Sequence, residues 1–193
     1  MRNFKNICIF CGASTPKHTE LATPIMAMAD EMLKRGIGLV YGGGNVGLMG
    51  MAANRVMQGG GYVLGVIPHQ LQRREVAHNE ISEQILVDTM HERKAIMYER
   101  SDAFVIFPGG FGTLDEAMEI LTWKQLGIHD KPVIFANING YYDALKAWFD
   151  RSIEEGLLKS EYVPLYHFAD DVDGVFAYLE QYTPHKAGIM NWA

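Results

Sequence analysis

Seven short and continuous apolar runs punctuate the chain, at residues 6–11, 38–41, 62–67, 85–87, 103–107, 133–136 and 163–168. Between them apolar side chains recur at three- and four-residue spacing, as at Leu21, Ile25, Met28 and Met32, which is the period of a helix with one covered face. Strands alternating with helices predict a parallel sheet, since parallel neighbours need a crossover long enough to hold a helix. The runs are continuous rather than alternating, so both faces of the sheet are covered. A doubly wound α/β architecture with helices on each side is the expected fold class.

No shift of composition marks a linker, and 193 residues at 48% hydrophobic composition suffice for one core. One domain over residues 1–193 is expected, with an irregular tail at 183–193. The net charge of -6, from 17 basic and 23 acidic residues, argues against a nucleic-acid binder, which gathers Lys and Arg into a positive surface. No run approaches the roughly 18 apolar residues of a membrane span. The start, Met1-Arg2-Asn3-Phe4-Lys5, enters a strand-like run directly, and cytoplasmic residence is expected. Cys8 and Cys11 are spaced as C-x-x-C, but they fall inside a buried strand rather than at a helix start, and no second pair completes a zinc site. They read as small buried hydrophobes.

The run at 103–107 breaks into Pro108-Gly109-Gly110-Phe111-Gly112-Thr113-Leu114-Asp115-Glu116. A buried strand that turns through glycines into a helix start makes an anion site, where main-chain N–H groups and the positive helix end converge. Glu116 adds a carboxylate one turn inside. Phosphate recognition and a candidate acid or base thus share one loop, which points to a small phosphorylated substrate. Thr113 with Glu116 three residues later also fits a capping box. A helix needing only a cap would not need three glycines before it, and Thr113 could instead donate to a phosphate oxygen.

A second glycine cluster, Tyr41-Gly42-Gly43-Gly44-Asn45-Val46-Gly47, has the G-x-G-x-x-G spacing. It lacks the acidic residue expected at the end of the next strand of a dinucleotide site, since that run ends Val66-Ile67-Pro68-His69. Gly43 and Gly44 read either as turn glycines or as phosphate and ribose contacts. Neither loop carries the Lys-Ser or Lys-Thr of a triphosphate-binding P-loop. The polar stretch from His69 to Ser82 is long for such a fold and is a candidate lid or binding loop.

The third element is Thr89-Met90-His91-Glu92-Arg93-Lys94. Thr89 and Glu92 fit a capping box. Arg93 and Lys94 oppose the helix dipole, and Arg93 shares a face with Met90 and Met97. A covered Arg wants a carboxylate or phosphate, which its planar fork grips in two places. A solvated basic patch or a structural ion pair is the alternative. His91 stands alone, no His and carboxylate set has metal-ligand spacing, and no metal is expected.

With these segments in hand the chain resembles the LONELY GUY family of cytokinin-activating phosphoribohydrolases, long mislabelled as lysine decarboxylases. The likeness runs through Cys11-Gly12-Ala13-Ser14, Tyr41 to Gly44, Gly47-Leu48-Met49-Gly50, Met90 to Lys94, Pro108 to Glu116 and Thr122-Trp123-Lys124-Gln125-Leu126-Gly127-Ile128-His129. It differs from the commoner C-G-S-S form at residue 13. The resemblance implies a Rossmann-like fold that cleaves the N-glycosidic bond of adenine-type nucleoside 5′-monophosphates. The products would be free base and ribose 5-phosphate, with no cofactor. It implies Arg93 and Glu116 as the catalytic pair, and Glu75, Met90, Lys94, Gly109, Gly110, Gly112, Thr113 and Thr122 as substrate contacts. It also implies a homodimer acting on a small molecule, and the charge balance and the lack of an apolar span already argue against nucleic acid and membrane as partners.

The chemistry agrees with that assignment. Breaking a ribosyl C–N bond passes through an oxocarbenium-like state, which a nearby carboxylate stabilises while holding the incoming water. Arg93 stays protonated and so would orient Glu116 or neutralise substrate charge. Two rival readings remain. One is a non-catalytic module of the same fold that binds a nucleotide or molybdenum cofactor. The other is a pyridoxal-dependent decarboxylase, for which no lysine has a recognisable Schiff-base context.

Overall fold

The computed structural model of this chain describes residues 4–72 and 77–185. Its strands are β1 (Asn6–Phe10), β2 (Gly38–Tyr41), β3 (Val63–Pro68), β4 (Glu83–Val87), β5 (Ala103–Ile106), β6 (Val133–Ala136) and β7 (His167–Ala169). The helices are α1 (Ala22–Lys34), α2 (Gly47–Gln58), α3 (Met90–Glu99), α4 (Phe111–Gln125), α5 (Asp143–Glu154) and α6 (Val172–Gln181). All strand pairs are parallel, in the order β4-β3-β2-β1-β5-β6-β7. This is the doubly wound α/β fold expected from the alternation.

Successive side chains of a strand point to opposite faces, and the two cores separate accordingly. Ile7, Ile9, Leu39, Val105 and Ile134 meet α1, α2 and α6 on one face. Cys8, Phe10, Val40, Phe104 and Phe135 meet α3, α4 and α5 on the other. Cys8 and Cys11 belong to opposite cores, both buried and free. Burial raises both thiol pKa values, with the Glu116 charge adding to it, so the sulfurs stay neutral.

The strand expected at 163–168 forms only from His167. Residues Ser160–Leu165 make a 3₁₀ segment containing Pro164, which has no N–H to give a ladder. At the opposite edge β4 begins two residues earlier than expected, because Glu83 and Gln84 are tolerated where one side of the strand is open. Of the expected irregular tail, residues 183–185 carry no helix or strand, and the rest lies outside the described residues.

Strand order reverses between β1 and β5, and doubly wound sheets bind ligands beyond the carboxyl ends of the strands at such a point. Three loops interlock there. The Gly12 N–H donates to the Pro108 carbonyl at 3.0 Å, and the Leu48 N–H donates to the Gly12 carbonyl at 3.0 Å. Gly47 has φ +60°, and a β-carbon on it would stand 2.5 Å from the carbonyl carbon of Ala13. Only glycine fits both the backbone and the space.

Candidate active site

The interlocked loops enclose a cavity of about 610 Å³, within the range of small-molecule sites. At one end stands the N-terminus of α4. Gly110 is its N-cap, without a side-chain cap bond, and the first helical bond runs from the Leu114 N–H to the Gly110 carbonyl at 3.1 Å. The N–H groups of residues 111–113 therefore lack helical partners. A β-carbon on Gly110 or Gly112 would meet nothing within 4 Å, which leaves this helix end open to an anion.

The sequence also allowed Thr113 and Glu116 to form a capping box. The helix starts at Phe111, two residues ahead of Thr113, so Thr113 is an interior residue and no box forms. Thr113 is 4% exposed and Glu116 8%, and both line the cavity. A β-carbon on Gly109 would collide with the Thr113 hydroxyl. That glycine lets the turn close over the threonine.

The box at Thr89 does form. The Thr89 hydroxyl accepts from the Glu92 N–H at 3.1 Å, and the Glu92 carboxylate accepts from the N–H groups of Asp88 and Thr89 at 2.9 and 3.1 Å. It fixes the start of α3 and with it Arg93 one turn in. Arg93 is 5% exposed. The Nη2 of its guanidinium donates to the Gly42 carbonyl at 3.2 Å and lies 3.9 Å from Oε1 of Glu116. Buried charges of opposite sign need each other, since either left alone would bear the full loss of hydration.

The cavity gathers Met90, Arg93, Gly109, Gly110, Gly112, Thr113 and Glu116. Four other expected contacts fall elsewhere. The Lys94 ammonium is held by Asp115 at 3.2 Å and Glu119 at 3.0 Å, because opposing the dipole of α3 it finds carboxylates on α4. Thr122 is exposed and donates to the Met118 carbonyl at 2.7 Å. It borders a separate apolar groove with Trp148 and Tyr166. Gly43 has φ +79° and packs on Ile67, while Gly44 bridges to Ala77. Neither glycine lines the cavity. Glu75 lies outside the described residues, and so does part of the expected binding loop. Leu71 of that loop does reach the cavity.

Sequence reading missed Thr15, Lys17 and Tyr141, which also line the cavity. The first two follow β1, and the place of β1 beside the strand reversal is the signal that would have marked them. Tyr141 follows β6, and its hydroxyl donates to the Gly109 carbonyl at 2.8 Å. Among the described residues no group of three or more His, Cys, Asp or Glu is placed to hold a metal, and no helix is long and apolar enough to cross a membrane.

A family model described as "Possible lysine decarboxylase" matches residues 49–179. The chain is 43% identical over 181 residues to the cytokinin riboside 5′-monophosphate phosphoribohydrolase LOG2 of Arabidopsis thaliana, covering 94% of this chain and 85% of that one. It is 42% identical over 188 residues to LOG1 of the same plant and activity, covering 97% and 88%. Among solved structures, a molybdenum cofactor carrier protein from Chlamydomonas reinhardtii superposes with a TM-score of 0.67 at 20% identity, over 91% of this chain and 95% of that one. A molybdenum cofactor binding protein from Rippkaea orientalis gives 0.67 at 21% identity, over 93% and 97%. At such identity the two structures share the fold.

Proposed function

The chain belongs to the family that the "possible lysine decarboxylase" model describes and that includes the cytokinin riboside 5′-monophosphate phosphoribohydrolases, and from this premise we propose that it hydrolyses the N-glycosidic bond of adenine-type nucleoside 5′-monophosphates. Cytokinin riboside monophosphates and AMP are the substrates, and free base and ribose 5-phosphate are the products. The observation that carries the reading is the placement of Arg93 and Glu116 in one cavity with the open N-terminus of α4.

The 5′-phosphate sits on the N–H groups of the first turn of α4, with Gly110, Gly112 and Thr113 around it and Lys17 at the rim. This leaves the ribose towards Glu116. Water adds to C1′ as the C–N bond breaks. The bond pair leaves with the base, the hydroxyl stays on C1′, and the balance of one proton goes to the base. Glu116 holds the water and faces the positive charge that develops on the sugar. Arg93 pairs with Glu116 and keeps it aimed.

Lys94 supports α4 through Asp115 and Glu119. Thr122 meets substrate only if a second copy brings its α4 against the cavity, which the homodimer in this reading supplies. Residence in the cytoplasm, away from nucleic acid, completes the reading. The decarboxylase label gains nothing from the site, where Lys17, the one lysine lining the cavity among the described residues, is exposed.

The test is chromatography of the protein incubated with AMP, isopentenyladenosine monophosphate and adenosine. Base and ribose 5-phosphate from the monophosphates, and no base from adenosine, is the expected result. Tight AMP binding without base release would move the assignment to a nucleotide-binding module.

A further inference from the structure

His78 is 3% exposed, although it belongs to neither a helix nor a strand. All its polar atoms are engaged. Nδ1 accepts from the Glu80 N–H at 3.3 Å, which puts the proton on Nε2, and Nε2 donates to Oδ1 of Asn54 on α2 at 3.0 Å. The Asn54 amide in turn donates to Oδ1 of Asn45 at 3.0 Å. The His78 main-chain N–H donates to the Gly43 carbonyl at 3.0 Å, and its carbonyl accepts from Gln84 of β4 at 3.3 Å. One residue earlier, Ala77 bridges antiparallel to Gly44.

Residues 43–45 are thus held at each position: Gly43 by the His78 main chain, Gly44 by Ala77, Asn45 by the side chain that the His78 ring orients. Gly42, directly before them, gives its carbonyl to Arg93. We propose that His78 is a positioning residue for the hydrolysis, fixing the Gly42 carbonyl through Gly43 and the Asn54–Asn45 link and so setting the Arg93 guanidinium against Glu116. The proposal rests on the reaction assigned above.

A buried imidazole costs free energy unless its nitrogens are paired, and leucine would fill the space without that need. The two nitrogens play opposite roles, one accepting and one donating, which fixes the ring in a single orientation. Burial lowers the His78 pKa, with the Glu80 carboxylate acting the other way, and the neutral ring is the form that accepts at Nδ1. The brace touches the Arg93 side of the cavity. The turn before α4, at the phosphate end, is tied to this loop more remotely, through the Leu48–Gly12 and Gly12–Pro108 main-chain bonds. Loss of the brace should therefore lower kcat and leave KM for a monophosphate nearly unchanged.

Three variants test this. His78→Leu removes both ring bonds. His78→Gln restores a donor towards Asn54. Asn54→Ala cuts the link at an exposed position. The expected result is a kcat lower by about tenfold for His78→Leu and by a few-fold for Asn54→Ala, with KM within about twofold and His78→Gln close to the parent. The second readout is modification of Arg93 by phenylglyoxal, followed by mass spectrometry, which needs no turnover. It should be several-fold faster in His78→Leu and Asn54→Ala than in the parent or His78→Gln. If Arg93 reactivity and kcat stay at parental values in Asn54→Ala and in any folded His78→Leu, the proposal is wrong. If the parent releases no base while Arg93 reactivity follows the expected pattern, the brace stands and the assigned reaction falls.

Discussion

The Nη2 atom of Arg93 donates to the Gly42 carbonyl at 3.2 Å, and a β-carbon on residue 42 would collide with that same nitrogen. The glycine is there because the guanidinium fills the place of a side chain. Gly42 is not among the positive-φ residues, so alanine fits the backbone, and the atom it strikes is the end of a long side chain. Gly42→Ala should therefore fold and displace Arg93. Turnover is expected to fall by roughly 100-fold, the scale of a 1 Å misplacement at a reacting centre. The thermal midpoint should move by no more than about 4 °C, or about 1 kcal/mol for a chain of this size. Parental kcat in a folded Gly42→Ala protein would show that the position of Arg93 does not matter.

Arg93 and Glu116 lie 3.9 Å apart with side chains only 6% and 10% exposed, and they should act as a unit. Glu116→Gln and Arg93→Ala are each expected to abolish measurable base release while the proteins stay folded. The double variant should cost far less than the product of the two single losses, because the second change removes a partner that no longer functions. Steady-state rates of all four proteins on one monophosphate decide this. Multiplicative losses would mean two independent roles.

How far the sequence could be read depends on whether a feature is local or is made by the topology. The strands 38–41 and 133–136 match β2 and β6 to the residue, since a continuous apolar run bounded by turn residues needs nothing from elsewhere. The cap at Thr89 was equally local. The start of α4 was not. The sequence offers a cap at Thr113, whereas the helix starts from Gly110, after a turn tied to the distant Gly12 loop. Lys94 was legible as a cation with no place in its own helix, but its partners Asp115 and Glu119 come from another helix. The reason for Gly42 was out of reach for the same cause, since Arg93 lies 51 positions further on.

Tyr141 and Tyr142 are neighbours in sequence with opposite expected roles. The Tyr142 hydroxyl, buried, donates to the Phe107 carbonyl at 2.6 Å. Tyr142→Phe leaves that buried carbonyl short of a donor and should destabilise the fold by about 1–2 kcal/mol, read by urea unfolding. The Tyr141 hydroxyl donates to Gly109 from an exposed side chain that lines the cavity. Tyr141→Phe should leave stability within about 0.5 kcal/mol and raise KM for the monophosphate several-fold, because Gly109 begins the turn proposed above to hold the phosphate. Equal effects of the two changes on KM would remove Tyr141 from substrate positioning.

His129 is expected to set an acid limit to stability away from the cavity. Its Nε2 meets the Ile120 carbonyl at 2.9 Å, and its Nδ1 accepts from the Lys131 N–H at 3.1 Å, so the folded state holds the neutral ring. Burial chiefly, with the charges of Lys124 and Lys131 adding to it against the Ile120 bond, lowers its pKa from 6.5 to about 4. The unfolded chain then takes up the proton first. Above pH 6.5 the group is neutral in both states and the full stability is present. As the pH falls from 6.5 towards 4 the unfolded state gains a proton that the folded state refuses. Stability should drop across that window by roughly 2–3 kcal/mol, allowing for the partial exposure of the ring. His129→Gln has nothing to protonate there. Urea unfolding at pH 7, 5.5 and 4 should give a shallower fall for the variant than for the parent, and parallel curves would show that His129 does not set the limit.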